Sequence, residues 1–179
     1  MHGATLYPLN TLRSVNEGRY TLEARKYSRR EEVRRERIPR LGCLWNDVVH
    51  CLPMHPSRVY QALVECGLTP GRRYWFALDI ARIMKNPCAW FDFRTSPPFP
   101  VPEDEVRILT AESYRELDAV PEETKEWYRY LARHGGKLQL TYRYIPHVFV
   151  MGPIDTTGAP IVEWSESVDR QLGEPNVGE

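Results

Sequence analysis

The sequence is poor in several of the features that most quickly assign a protein to a class. No apolar run nears the roughly 20 residues needed to cross a bilayer, so no segment reads as a membrane span. Cys43, Cys51, Cys66 and Cys88 are widely spaced with no C-x-x-C pair, which excludes a zinc ribbon and a dithiol redox motif. The phosphate cradles G-x-G-x-x-G and G-x-x-x-x-G-K-S/T are missing, and so is the G-x-S-x-G of α/β-hydrolases. Met1 to Leu12 have neither a cationic n-region nor an apolar h-region, so they do not read as a secretory signal. With four unpatterned thiols, that points to the cytoplasm.

What is present is an ordinary globular composition. At 42% hydrophobic and 27% charged, 179 residues lie outside the disordered range and suit one domain. We expect it over residues 1–166, with a polar tail at 167–179 that frays. Net charge is zero, from 24 basic and 24 acidic side chains, but the charges are blocked along the chain. Residues 1–40 carry an excess of five positive charges, 101–126 an excess of six negative ones, and 127–154 four basic residues with no acidic one. Two basic blocks, Arg25–Arg40 and Tyr128–Arg143, keep a phosphate-bearing ligand or a nucleic acid in play, because steering follows local potential rather than the total.

Hydrophobic periodicity and breakers give a coarse element order. Ala4 to Tyr7 suits a first strand, with Pro8-Leu9-Asn10 as the turn out of it. Glu17 to Arg37 reads as an exposed helix stopped by Pro39, and Leu44 to Cys51 as a buried strand. Pro56 opens a helix striped by Val59, Ala62, Leu63 and Cys66 and closed by Gly67. Tyr74 to Ile80, Cys88 to Phe93 and Val106 to Leu109 read as strands, and a helix runs from Pro121 to Gly135-Gly136. Leu138, Leu140 and Tyr142 alternate with polar residues and pair on paper with Val148 to Met151, while Ile161 to Trp164 adds an edge strand. Strands cluster late, so the expected class is α+β with a split, mostly antiparallel sheet.

The densest chemistry lies in Leu44 to Pro56, where Asp47, His50 and His55 interrupt an apolar run. Such residues are either satisfied by hydrogen bonds or serve a site. Asp47, His50, His55, Asp92 and His147 form one conceivable ligand set for a metal-dependent hydrolase, although their spacing matches no metal motif. The arginines of Arg34-Arg35-Glu36-Arg37 suit bidentate capture of a pyrophosphate. They equally suit a non-enzymatic module whose basic blocks grip nucleic acid.

The segment Tyr7-Pro8-Leu9-Asn10-Thr11-Leu12, followed by an arginine-bearing stretch, then Asp47-Val48-Val49-His50, Pro53, Pro56 and Tyr60, resembles the DarT-like ADP-ribosyltransferases and, more distantly, the tRNA 2′-phosphotransferases. The resemblance covers the order of elements over about residues 4–150. It implies a split sheet with NAD as substrate in its cleft and transfer to a nucleic-acid or protein acceptor. Arg34 or Arg37 would help hold NAD, Tyr7 and Asn10 would line its nicotinamide end, and Asp47 and His50 fall within the matching stretch. The family's first-strand His and Thr are not reproduced. Its catalytic glutamate falls by position on Gln139, which hydrogen-bonds a hydroxyl but cannot act as a general base. Either Glu163 or Glu166 supplies the carboxylate, or transferase chemistry is lost, or the chain follows the phosphotransferase branch.

Overall fold

A computed structural model describes residues 4–28, 30–96, 98–135, 138 and 140–166. The class is α+β, and every strand pairing among the described residues is antiparallel. The chain gathers into two compact units that alternate along the sequence: Met1–Pro53 with Leu78–Arg115 and Tyr144–Ala159, and Met54–Ala77 with Glu116–Arg143 and Pro160–Glu179. No helix among the described residues is long and apolar enough to cross a membrane.

The first unit is organised by a four-stranded sheet of β4 (Val48–Cys51), β8 (His147–Met151), β6 (Cys88–Phe91) and β7 (Val106–Ile108), in that spatial order. His50 and Ala89 lie opposite Phe149, and Phe91 opposite His147. Because side chains alternate between faces, this register puts Val48, His50, His147, Phe149, Ala89, Phe91 and Val106 on one side. That side carries the core, where Phe149, Phe91, Val48, Ala89 and Val106 pack with Ile38, Phe93 and Val101. Phe91 stacks on Phe149 at 5.2 Å and on Phe93 at 5.3 Å between ring centroids.

Around the sheet run β1 (Thr5–Leu6), α1 (Leu9–Val15), α2 (Glu17–Ala24), α3 (Glu31–Arg35), the hairpin β2 (Arg37–Ile38) with β3 (Cys43–Leu44), the short α5 (Ile80–Ile83), and β9 (Ile154–Asp155), which pairs with β1. The hairpin turns through Arg40 and Gly42, both left-handed at φ 64° and 65°. The loop after β6 is pinned by one buried carboxylate: Glu105 accepts from Arg94 N at 2.7 Å and from the Thr95 hydroxyl at 2.6 Å.

The second unit holds α4 (Pro56–Glu65), α6 (Glu122–Arg133) and the pair β5 (Tyr74–Phe76) with β10 (Ile161–Glu163). In α4, proline occupies the first position, where its missing N–H costs nothing, and His55 Nδ1 accepts from Ser57 N. Helix α6 buries Thr124, Tyr128 and Leu131, and the Tyr128 hydroxyl donates to the Thr141 carbonyl. Trp164 is fully buried, donating from Nε1 to Gly71 O at 2.9 Å beneath the Arg73 guanidinium.

Several expected elements are corrected. Helix α1 begins at Leu9, where Pro8-Leu9-Asn10 predicts a turn, and the helix expected over Glu17 to Arg37 is broken into α2, a 3₁₀ turn at Arg25–Tyr27, and α3. Asn16 makes the first break: its extended backbone ends α1 while its side chain caps α2 by accepting from Arg19 N at 2.9 Å. The strand expected over Leu44 to Cys51 is interrupted by a 3₁₀ turn at Trp45–Asp47. The strand at Tyr74 stops at Phe76, and Ile80 begins a helix. Leu140 lies in a turn at φ 53°, and Tyr144 is also left-handed at φ 64°, so the alternation around Leu138 and Tyr142 makes no strand. The expected frayed tail at 167–179 lies outside the described residues.

Candidate functional site

A pocket of about 430 Å³ opens in the first unit. Strand β1 and its exit supply Leu6 and Tyr7, α1 supplies Leu9 and Leu12, α2 supplies Glu23, and the 3₁₀ turn after it supplies Lys26 and Tyr27. The opposite wall is Trp45, Asn46, Val48, Val49 and His50. Val49 points to the other sheet face from Val48 and His50, yet all three line the pocket. The pocket therefore follows the free edge of β4, the outermost strand of its sheet, where backbone groups have no strand partner.

The floor of the site is set by the 3₁₀ turn that interrupts the expected strand. Asp47 braces it, accepting from Asn10 Nδ2 at 2.7 Å and from Leu44 N at 2.8 Å, so α1 and the turn are tied together by one carboxylate. The bracing puts Asn46 on the wall as a residue only 3% exposed, and Asn46 Nδ2 has no hydrogen-bond partner among the described residues. A buried amide donor left unpaired is uncommon and costs about 1–3 kcal/mol. Trp45 stands beside it, tilted against His50 at 4.7 Å and edge-on to Phe149 at 5.2 Å.

His50 donates from Nε2 to the Trp45 carbonyl at 3.3 Å, which leaves Nδ1 as an acceptor. Burial, with His147 nearby, lowers its pKa to about 3. More than a third of its surface is still exposed, so water there softens the shift without reversing it. His147, 6.2 Å away, is lowered to about 4 by burial and donates from Nδ1 to Ile145 O at 2.7 Å. Both imidazoles are neutral at pH 7. The site therefore presents a neutral imidazole, three aromatic rings, one lysine and one carboxylate, with the Asn46 amide buried in its wall.

The expected site residues are distributed unevenly. Tyr7 and His50 line the pocket, and Asn10 and Asp47 act behind it as a brace. Arg34 and Arg37 do not line it: Arg34 is held by Glu31 and by the Tyr20 hydroxyl at 2.8 Å, and Arg37 donates to Gly42 O across its hairpin. Glu163 belongs to the second unit, on β10, ion-paired with Arg72 at 3.2 Å; hydrogen bonds from Ser165 and then Arg72 lower its pKa. Gln139 lies outside the described residues.

For the metal set, Asp92 accepts from Trp90 Nε1 and pairs with Arg107, while His55 caps α4. Among the described residues no three His, Cys, Asp or Glu side chains gather to hold an ion. Sequence reasoning missed Asn46, Trp45, Glu23, Lys26 and Tyr27. The one available signal was Asn46, a polar residue between Trp45 and Asp47 in an apolar run. No protein-family model, curated protein or solved structure matches this chain.

Proposed function

We propose that the pocket binds NAD by its nicotinamide ring and that the protein is an ADP-ribosyl-type transferase acting on a nucleic-acid or protein acceptor. The supporting observation is the unpaired, buried Nδ2 of Asn46 on the pocket wall. A turn of the side chain toward the pocket would give this donor the carbonyl of a carboxamide-bearing ring. Tyr7, Tyr27 and Trp45 supply flat apolar surface for such a ring. The His50 Nδ1 acceptor complements the carboxamide NH₂. The volume falls within the roughly 300–1,000 Å³ of small-ligand sites and suits the ring and ribose, with the rest of the dinucleotide leaving through the open mouth.

NAD supplies the ADP-ribosyl group, and nicotinamide departs as the leaving group. The chain's own contribution in this reading is positional. Asn46 orients the ring, the Asn10–Asp47 brace fixes Asn46, and the aliphatic wall of Leu6, Leu9, Leu12 and Val48 keeps water from the reacting end. The four free thiols suit a reducing compartment, and we place the activity in the cytoplasm. Calorimetric titration with nicotinamide and with NAD tests the reading, followed by assay of nicotinamide release in the presence of DNA, RNA and protein pools. Binding of both, weakened in Asn46→Leu, is the expected result. A protein that binds neither ligand refutes it.

A further inference from the structure

The mouth of the same pocket carries a charge arrangement that ring binding does not use. Lys26 and Tyr27 line it; Arg30 is not a lining residue, but its Cζ lies 5.7 Å from the Tyr27 ring centroid, against 5.3 Å for Lys26 Nζ, and its guanidinium donates to Lys26 O at 3.4 Å. Neither cation has a carboxylate within ion-pair distance among the described residues. The carboxylate on the pocket wall is Glu23, and it is held at 2.7 Å by Arg19 one turn earlier on α2. Arg19 therefore neutralises the group best placed to neutralise Lys26. Burial raises the Tyr27 pKa, so its hydroxyl stays protonated as a donor. The Lys26 charge is also felt at His50, on the opposite wall.

We propose that Lys26, on the pocket wall, and Arg30, beside the Tyr27 ring, are a phosphate clamp, left without a carboxylate partner by Arg19, which acts as a positioning residue by holding Glu23 away from them. The ligand class is a ring joined to a phosphate or diphosphate, with Tyr27 donating to a phosphate oxygen. This deepens the ring reading and rests on it only in assigning ring and phosphate to one molecule. It also departs from the expectation for Arg34, which is ion-paired with Glu31, and for Arg37, which is tied into its own hairpin.

The test is calorimetry with three probes: inorganic pyrophosphate, nicotinamide and NAD. Pyrophosphate is expected to bind, with affinity falling as salt rises. Lys26→Gln and Arg30→Gln should each weaken pyrophosphate and NAD roughly tenfold, as expected for loss of one charge-assisted contact, and leave nicotinamide unchanged. The decisive pair is Arg19→Gln, which should weaken pyrophosphate by freeing Glu23, and Glu23→Gln, which should tighten it. Arg19→Lys should restore the original affinity. A purely structural role for Arg19 would move all three probes together. Asn46→Leu should weaken nicotinamide and spare pyrophosphate, so the ring reading fails separately if nicotinamide does not bind while pyrophosphate does. Absence of pyrophosphate binding, indifference to Lys26→Gln and Arg30→Gln, or weaker binding in Glu23→Gln overturns the clamp.

Discussion

Replacing Asn46 by leucine should make the ligand-free protein more stable. The residue is 3% exposed, and its Nδ2 is a buried donor with no acceptor among the described residues. Folding removes that N–H from water and gives nothing back, a cost of about 1–3 kcal/mol. Leucine has similar length and branching, fills the same space beside Trp45 and Val48, and carries no polar atom to strand. The expected gain is therefore about 1–3 kcal/mol. For a chain of this size each kcal/mol moves Tm by about 2–4 °C. Urea unfolding followed by tryptophan fluorescence, with the m-value checked for constancy, gives the free energy, and a thermal scan gives the shift. Nicotinamide affinity should fall in the same variant, the trade of stability for function expected of a site residue. A loss of 1 kcal/mol or more at unchanged m-value refutes the reasoning, because it means the amide is satisfied in solution. Asn46→Asp is the complementary control: it puts an acceptor where a donor is wanted and should lose affinity without the stability gain.

Two further outcomes concern the first unit. His147 is held near pKa 4 when folded against about 6.5 when unfolded, so acidification protonates the unfolded chain first. Stability is then complete above about pH 6.5 and declines toward pH 4, by at most about 1.4 kcal/mol per pH unit for this histidine. His50 adds a smaller share of the same sign because it opens to solvent. His147→Phe, which replaces one ring among Phe93 and Phe149 by another, should flatten the profile of urea midpoints in that window, and an unchanged slope would assign it elsewhere. Glu105→Ala removes the carboxylate that holds Arg94 N and Thr95 and should cost about 2–4 kcal/mol by urea unfolding, with Glu105→Gln costing less; a cost below 1 kcal/mol would show that the loop does not depend on the anchor.

Elements bounded by strong local signals were legible in the residues themselves. Pro56 and Gly67 bracket α4, and Gly67 takes the left-handed conformation at φ 82° that such an end requires. Strands β6 and β10 fall inside the segments expected from their apolar runs. Where two local signals competed, the reading went astray. Leu9, Leu12 and Val15 already share a helical stripe, but Pro8 and Asn10 signal a turn more strongly. Leu138, Leu140 and Tyr142 alternate as a strand would, but alternation has no meaning without a partner strand, and the β8 edges are already taken by β4 and β6. At the site, Tyr7 and His50 could be singled out by residue type. The arginines could not be sorted, because charge density reveals where cations lie and not which have partners: Arg34 meets Tyr20 fourteen residues away, and Lys26 meets no carboxylate among the described residues. The importance of Asn46 depends on what its neighbours fail to offer, and no local pattern encodes an absence.

Strand β8 lies between β4 and β6 although it is the last of the four sheet strands to be synthesised. On a ribosome, β4 and β6 leave the tunnel with no shared partner and wait through α6 before His147–Met151 arrives. Until then, Val48, Ala89 and Phe91 have no Phe149 to cover them, and β6 can close only its short ladder with β7. Non-local closure of this kind delays folding of the sheet until β8 has been made and leaves sticky strands waiting. Premature stop codons before Tyr144 should therefore yield insoluble fragments, however far along the chain they fall.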